Sequence, residues 1–186
     1  MEITNKFPQN NKKKVIKLNS IYSRSIITRN IKLSIVNVGS NLKQVLEEYI
    51  SSHFEGKCVV EGFIKPQSTK IISYSSGIIV MGVNVAFDVV FECEVCFPVE
   101  GTIISCLAKT NTKAGITAES AYEKPSPIIV FIARDHHYSN SYYADIKEGD
   151  KINVRVIGQR FELNDKTISI IGELVKPYKS KLIIEK

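Results

Sequence analysis

The 186 residues include no tryptophan, only two methionines, three histidines and four cysteines. Four cysteines in a chain of this length make no disulfide scaffold, so a reducing, intracellular compartment is the expectation. No apolar segment follows the first basic residues, which argues against a secretory signal. The longest apolar stretch, Ile78 to Phe87, is interrupted by Asn84 and is too short to span a bilayer. No glycine-rich phosphate loop, nucleophile elbow or His-Glu-x-x-His motif is present, and the carboxylates are scattered. An enzyme is therefore disfavoured, and no cofactor is expected.

The composition is that of a globular chain, 44% hydrophobic and 24% charged. Its net charge of +6 is unevenly placed. Five lysines against one glutamate give residues 1–17 a charge of +4, and four lysines against one glutamate give residues 176–186 a charge of +3. That leaves the body at −1. A basic tail either binds phosphates through counterion release or is a solvated, disordered end, and composition does not separate the two.

Residues 1–18 are Asn/Lys-rich and aperiodic and read as a disordered tail. Alternation predicts a strand within Ile21 to Val38. Leu42, Val45, Leu46, Tyr49, Ile50, His53 and Phe54 keep helical spacing, with Ser40 as N-cap and Gly56 at C′. Beyond Gly56 the pattern is β: Cys58–Ile64, Lys70–Tyr74 and Val85–Phe97, then Gly101–Lys109, Gly115–Glu119, Ile128–Ala133, Lys151–Glu162 and Thr167–Val175. Five strands after Pro98 suit a small Greek-key barrel of the OB type. The expected fold class is α+β, with a one-helix-on-sheet domain over residues 19–97, a five-stranded OB barrel over 98–175 and a basic tail over 176–186.

Three cysteines fall in the stretch CEVCFPVEGTIISC, Cys93 to Cys106. On a strand, Val85, Phe87, Val89, Phe91, Cys93, Val95 and Phe97 share one face, while Asp88, Val90, Glu92, Glu94 and Cys96 share the other. Thiols on opposite faces cannot converge on one zinc, and no second Cys-x-x-Cys exists. A redox pair would open a helix, which the β pattern denies. All four cysteines read as small buried hydrophobes. His136 and His137 follow a predicted strand and read as an exposed polar loop rather than a metal or catalytic pair.

The segment VVFECEVCFPVEGTIISC, Val89 to Cys106, joins a one-helix domain directly to a barrel through Phe97-Pro98-Val99-Glu100-Gly101. This resembles the larger stalk subunit of multisubunit DNA-dependent RNA polymerases, which is the seventh subunit of the eukaryotic second polymerase and has a counterpart in archaea. The resemblance covers residues 20–175 and implies a truncated RNP-like tip domain ahead of the barrel. FEGKCVVEGFI, Phe54 to Ile64, looks like the end of the family's helix and its polymerase-docking tip, which places docking on Glu61, Gly62, Phe63 and Ile64. The chain departs from the family in its longer N-terminus. Ala133 to Gly172 is most similar to versions carried by large DNA viruses. The family resemblance implies a non-catalytic subunit that docks on the large core subunits, often beside a smaller stalk subunit. It also implies contact with nascent single-stranded RNA or initiation factors through the barrel. Such a subunit would work in a cytoplasmic viral factory or virion if viral, or in the nucleus if cellular.

An OB barrel binds single strands with basic and aromatic groups on one face and its flanking loops. The candidates are Lys109, Lys113, Arg134, His136, Tyr138, Arg155, Arg160 and Phe161. Each basic residue also fits a solvated strand face, and Phe161 also fits a core position. Two further functions compete with the stalk subunit: a free-standing OB-type RNA-binding factor, and a hydrolase using a cysteine with His136 or His137.

Overall fold

The computed structural model describes residues 20–80, 82–137 and 141–176. It is mostly β. The first sheet is organised by one strand, β6 (Asn84–Cys96), whose alternating apolar face gives it a long buried side. Strand β1 (Tyr22–Ser34) pairs antiparallel along its whole length, from Tyr22 opposite Cys96 to Ser34 opposite Asn84. Three short strands share the other flank of β6: β3 (Gly62–Ile64), β4 (Lys70–Tyr74) and β5 (Ile78–Val80). A two-residue strand, β2 (Cys58–Val59), completes a hairpin with β3.

Helix α1 (Leu42–Phe54) covers one face of this sheet. Its apolar stripe drives Leu46 and Ile50 into a cluster with Ile31, Val89, Phe91 and Cys93. Gly56 adopts φ 70°, as the C′ position of a helix favours. Glu55 ties the helix end to the β3–β4 connection by accepting hydrogen bonds from Gln67 N–H at 2.8 Å and Thr69 N–H at 3.1 Å.

Several expected boundaries move. The first strand ends at Ser34, and a 3-10 turn, Ile35–Asn37, follows. The N-cap is Asn41 rather than Ser40, because the chain enters the helix through a turn in which Leu42 N–H donates to Gly39. Cys58 to Ile64 is a hairpin, not one strand. Strand β5 was not expected. Phe97 is half-exposed beyond the end of β6 and leaves the buried face, its ring packing edge-on against Phe161 at 6.2 Å.

The second unit comprises β7 (Ile103–Asn111), β8 (Gly115–Ser120), β9 (Ile128–Ala133), β10 (Lys151–Arg160) and β11 (Ile168–Val175). These strands close in the order β10-β11-β9-β8-β7, with β7 returning to β10. All neighbours are antiparallel except β9 and β11, which run parallel. A one-turn helix, α2 (Ser141–Ala144), fills the long connection before β10. Closure removes free sheet edges. The arrangement is consistent with an OB-like barrel.

The barrel core extends into the first sheet. Cys58, Phe63 and Cys96 belong to the same buried cluster as Cys106, Ile116 and Ile152. The β2 backbone also meets the β10–β11 turn: Cys58 N–H donates to Asp165 at 2.7 Å, and Asn164 N–H donates to Cys58 at 2.9 Å.

Candidate binding surfaces

The expected docking residues are largely interior in the free chain. Phe63 is 5% exposed and Ile64 1%. The cause is register: Phe63 lies opposite Cys96, at the point where β6 leaves the sheet for the barrel. The ring therefore enters the barrel core. Gly62 is buried as well, at φ 126°, and a Cβ there would collide with the Cys96 carbonyl oxygen. The glycine marks a close backbone approach rather than a flexible tip. Glu61 reaches the surface and pairs with Arg29 at 2.5 Å. Burial raises its carboxyl pKa, and the Arg29 hydrogen bond and charge outweigh that and hold it below the usual range.

The barrel candidates do not converge on one groove. Lys109 pairs with Glu119 at 3.0 Å, Arg155 with Glu173 at 3.1 Å and Arg160 with Glu162 at 3.2 Å. Each of these charges is already met by a carboxylate, and two of the pairs are cross-strand. Lys113 and Arg134 share one end of the barrel. Arg134 donates through its guanidinium to Thr112 O at 2.9 Å and through its backbone to Ala114 O at 3.1 Å, bracing the β7–β8 turn that carries Lys113. His136 is exposed beside them. Tyr138 lies outside the described residues. Phe161 is partly buried and packs on the barrel core.

His137 is not an exposed loop residue. Its ring is buried and stacked on Tyr143 at 5.3 Å. Nδ1 donates to Ala133 O at 2.8 Å, and Nε2 accepts from Leu174 N–H at 2.8 Å. A carbonyl can only accept and an amide N–H can only donate, so one neutral tautomer satisfies both contacts. His137 is a structural bridge between β9 and β11.

Cys93 lies in the helix-covered cluster and Cys96 in the barrel cluster. Burial pushes the Cys58 and Cys93 thiols up to about 11, and those of Cys96 and Cys106 to about 12. Neutral buried thiols are poor nucleophiles and poor metal ligands. Among the described residues, no group of three or more His, Cys, Asp or Glu could hold a metal ion, and no helix is long and apolar enough to cross a membrane.

Two surfaces escaped the sequence reading. The first is the end of the helix-covered sheet farthest from the barrel. There Ile35 N–H donates to Val83 O at 2.7 Å, joining the 3-10 turn to the β5–β6 turn. Val36 is 87% exposed, Ile79 74% and Val83 65%. With Ile35 half-exposed beside them, large aliphatic side chains gather at the surface there. The available signal was the run Ile35-Val36 continuing past the alternation of β1. The second surface is the outer side of β9 and β11, where Ile129, Phe131 and Ile171 are exposed.

No family model matches the chain. Over 171 residues it is 25% identical to a protein of Acanthamoeba polyphaga mimivirus described as a candidate DNA-directed RNA polymerase subunit. The chain is thus similar to a viral polymerase subunit. The match takes in 84% of this chain and 83% of the mimivirus protein, so the likeness reaches over both the helix-covered sheet and the barrel.

Proposed function

We propose that this chain is a non-catalytic stalk subunit of a DNA-directed RNA polymerase of a large DNA virus. It docks on the large core subunits through its first sheet and offers its barrel to nascent RNA or initiation factors. A smaller stalk subunit is a further partner of this reading, and an intracellular viral factory or virion is its setting. The observation that carries the role is the similarity to the mimivirus subunit across more than four-fifths of both chains.

Docking is reassigned within the first sheet. Phe63 is committed to the barrel-side core, Ile64 to the helix-covered cluster and Glu61 to Arg29, so this reading puts the contact with polymerase on the distal end formed by Ile35, Val36, Ile79 and Val83. Apolar anchors near the centre of an interface dominate binding, at about 2 kcal/mol or more each.

The test is affinity purification of the tagged chain from infected cells, wild type beside Val36→Asp/Val83→Asp. Recovery of the two large polymerase subunits with wild type, and their loss with the double variant, supports both the role and the docking end. Because both side chains are exposed, the variant should unfold within about 0.5 kcal/mol of wild type. Recovery of RNA without polymerase subunits would instead indicate a free-standing RNA-binding factor. Full retention of polymerase by the variant would remove the distal end from the interface.

A further inference from the structure

The outer face of β8 and β9 carries a feature that no candidate residue above accounts for. Phe131 points outward from β9 and is 38% exposed, between Thr117 on β8 and Ile171 on β11. Its ring does not stand off the sheet. A Cβ at Gly115 would lie 2.5 Å from Ile132 O, 2.8 Å from Phe131 Cζ and 2.9 Å from Cε2, so the β9 backbone crowds that glycine and the end of the ring leans across its bare Cα. Any side chain at 115 would press on both the β9 backbone and the ring. The sequence thus supplies a glycine where an aromatic ring can lie along the sheet surface.

The charges around this ring are not balanced in the way that those elsewhere on the barrel are. The nearest carboxylates on the same face, Glu119 and Glu173, are held by Lys109 and Arg155. Lys113 is exposed two residues from Gly115, and Arg134 lies three residues from Phe131, its guanidinium held over the same turn by Thr112 O and Asn111 Oδ1 and lying 5.8 Å from the Tyr143 ring centre. Among the described residues, neither has a carboxylate within ion-pair distance. A low-lying aromatic ring on a strand whose end and adjoining turn carry two cations can take a base on its π-face and the neighbouring phosphates on its charges. β8 and β9 are the second and third strands of the barrel, and Lys113 sits in the loop between the first and second, which is where OB barrels hold single strands.

We propose that Phe131, seated on Gly115, is a stacking platform for one base of single-stranded RNA, with Lys113 and Arg134 taking the flanking phosphates. This rests on the RNA-contacting half of the function proposed above and moves the contact away from Arg155 and Arg160, whose charges are spent on glutamates.

The test uses the full chain and a ten-nucleotide oligoadenylate carrying one 2-aminopurine, read by anisotropy and by quenching of the reporter. Phe131→Ala weakens binding about 5- to 150-fold and abolishes the quenching, whereas Phe131→Trp retains both. Lys113→Ala/Arg134→Ala lowers the slope of log affinity against log salt by about 1.4. Because the ring is largely covered, Phe131→Leu is the paired variant: it keeps apolar bulk on Gly115, unfolds close to wild type and still loses the quenching. Unchanged affinity in Phe131→Ala, with loss in Arg155→Ala/Arg160→Ala, overturns this platform and leaves RNA binding by the barrel standing. No binding by wild type overturns the platform and the RNA role together, without touching polymerase membership, which purification reads separately. Unchanged RNA binding with loss of a co-purifying protein in Phe131→Ala makes the face a protein contact and also overturns the proposal.

Discussion

Replacing Gly62 by alanine tests whether the β2–β3 hairpin is a brace or a tip. Two costs apply there. The backbone at φ 126° is one that residues bearing a Cβ rarely adopt, and holding it costs about 1–3 kcal/mol. The new methyl group would also collide with Cys96 O and stand 3.0 Å from Val95 Cγ1 and 3.2 Å from Phe97 Cβ. A backbone oxygen inside a sheet cannot swing aside, so β3 must retreat from β6, at an overpacking cost of about 1–3 kcal/mol. The sum is about 2–6 kcal/mol, a large fraction of the 5–15 kcal/mol or so that holds a typical fold. At roughly 2–4 °C per kcal/mol, thermal unfolding followed by circular dichroism should fall by at least about 4 °C and by more than 10 °C at the upper end. Gly82 is the control. It has φ 79° and nothing within 4 Å of a built Cβ, so Gly82→Ala carries only the left-handed backbone cost of about 1–2 kcal/mol. Equal losses in the two variants would refute the close approach at Gly62, and with it the view that this hairpin is packed against β6 rather than free to bind.

Phe63→Ala should lose about 3–5 kcal/mol in urea unfolding, because its ring fills the core between sheet and barrel; a cost below about 1 kcal/mol would show the ring to be peripheral. His137→Ala strands the buried Leu174 N–H without its acceptor and should cost about 1–3 kcal/mol, read as a lower denaturant midpoint; an unchanged midpoint would dismiss the bridge. The four thiols should resist iodoacetamide at pH 8 in the native chain and react together in guanidinium, as counted by mass spectrometry. Their folded-state pKa values are raised from an ordinary 9.0 to about 11 or 12, so above pH 9 the unfolded chain loses its protons first. Stability is thus full below pH 9 and falls between about pH 9 and 12, approaching 1.4 kcal/mol per pH unit for each thiol in that window. A flat unfolding midpoint across that range would contradict it.

Element types were legible wherever one face is buried and the other is wet. The helix from Leu42 to Phe54 and the strand from Asn84 to Cys96 both follow from spacing, since Asp88, Glu92 and Glu94 interrupt the apolar residues of β6 on one face only. The opposed faces of Cys93 and Cys96 follow from the same alternation, but what lies on the second face does not. Cys96 is buried because the barrel closes over it, and no local pattern records a neighbour so distant in sequence. Strand β5 was hidden for the opposite reason. Ile78-Ile79-Val80 is apolar at both parities, so periodicity cannot tell it from a loop beside Gly77.

The binding surfaces were harder to read than the fold, because side-chain roles there depend on register. Arg155 reads as a free cation until β10 and β11 pair and set it opposite Glu173. Lys109 sits at a bulge in β7 and reaches diagonally to Glu119, which lies opposite Leu107. Lys113, carried by a turn, has no cross-strand partner, and position in a loop is the one cue in sequence that separates it from the other two. Phe131 sits in Ile128-Ile129-Val130-Phe131-Ile132, where alternate residues are buried and exposed but all are apolar. Only the barrel's closure decides which parity faces out. Glycine is the complementary clue: Gly62 and Gly115 both lie where another group approaches too closely for a Cβ. At both the nearest atom is a backbone oxygen, Cys96 O at Gly62 and Ile132 O at Gly115, but at Gly115 the Phe131 ring also lies across the same spot and adds a surface contact to the close strand approach. Each glycine thus marks where two strands crowd, and the side chain lying beside it decides whether that spot is interior, as with Phe97 and Val95 at Gly62, or partly exposed, as with Phe131 at Gly115.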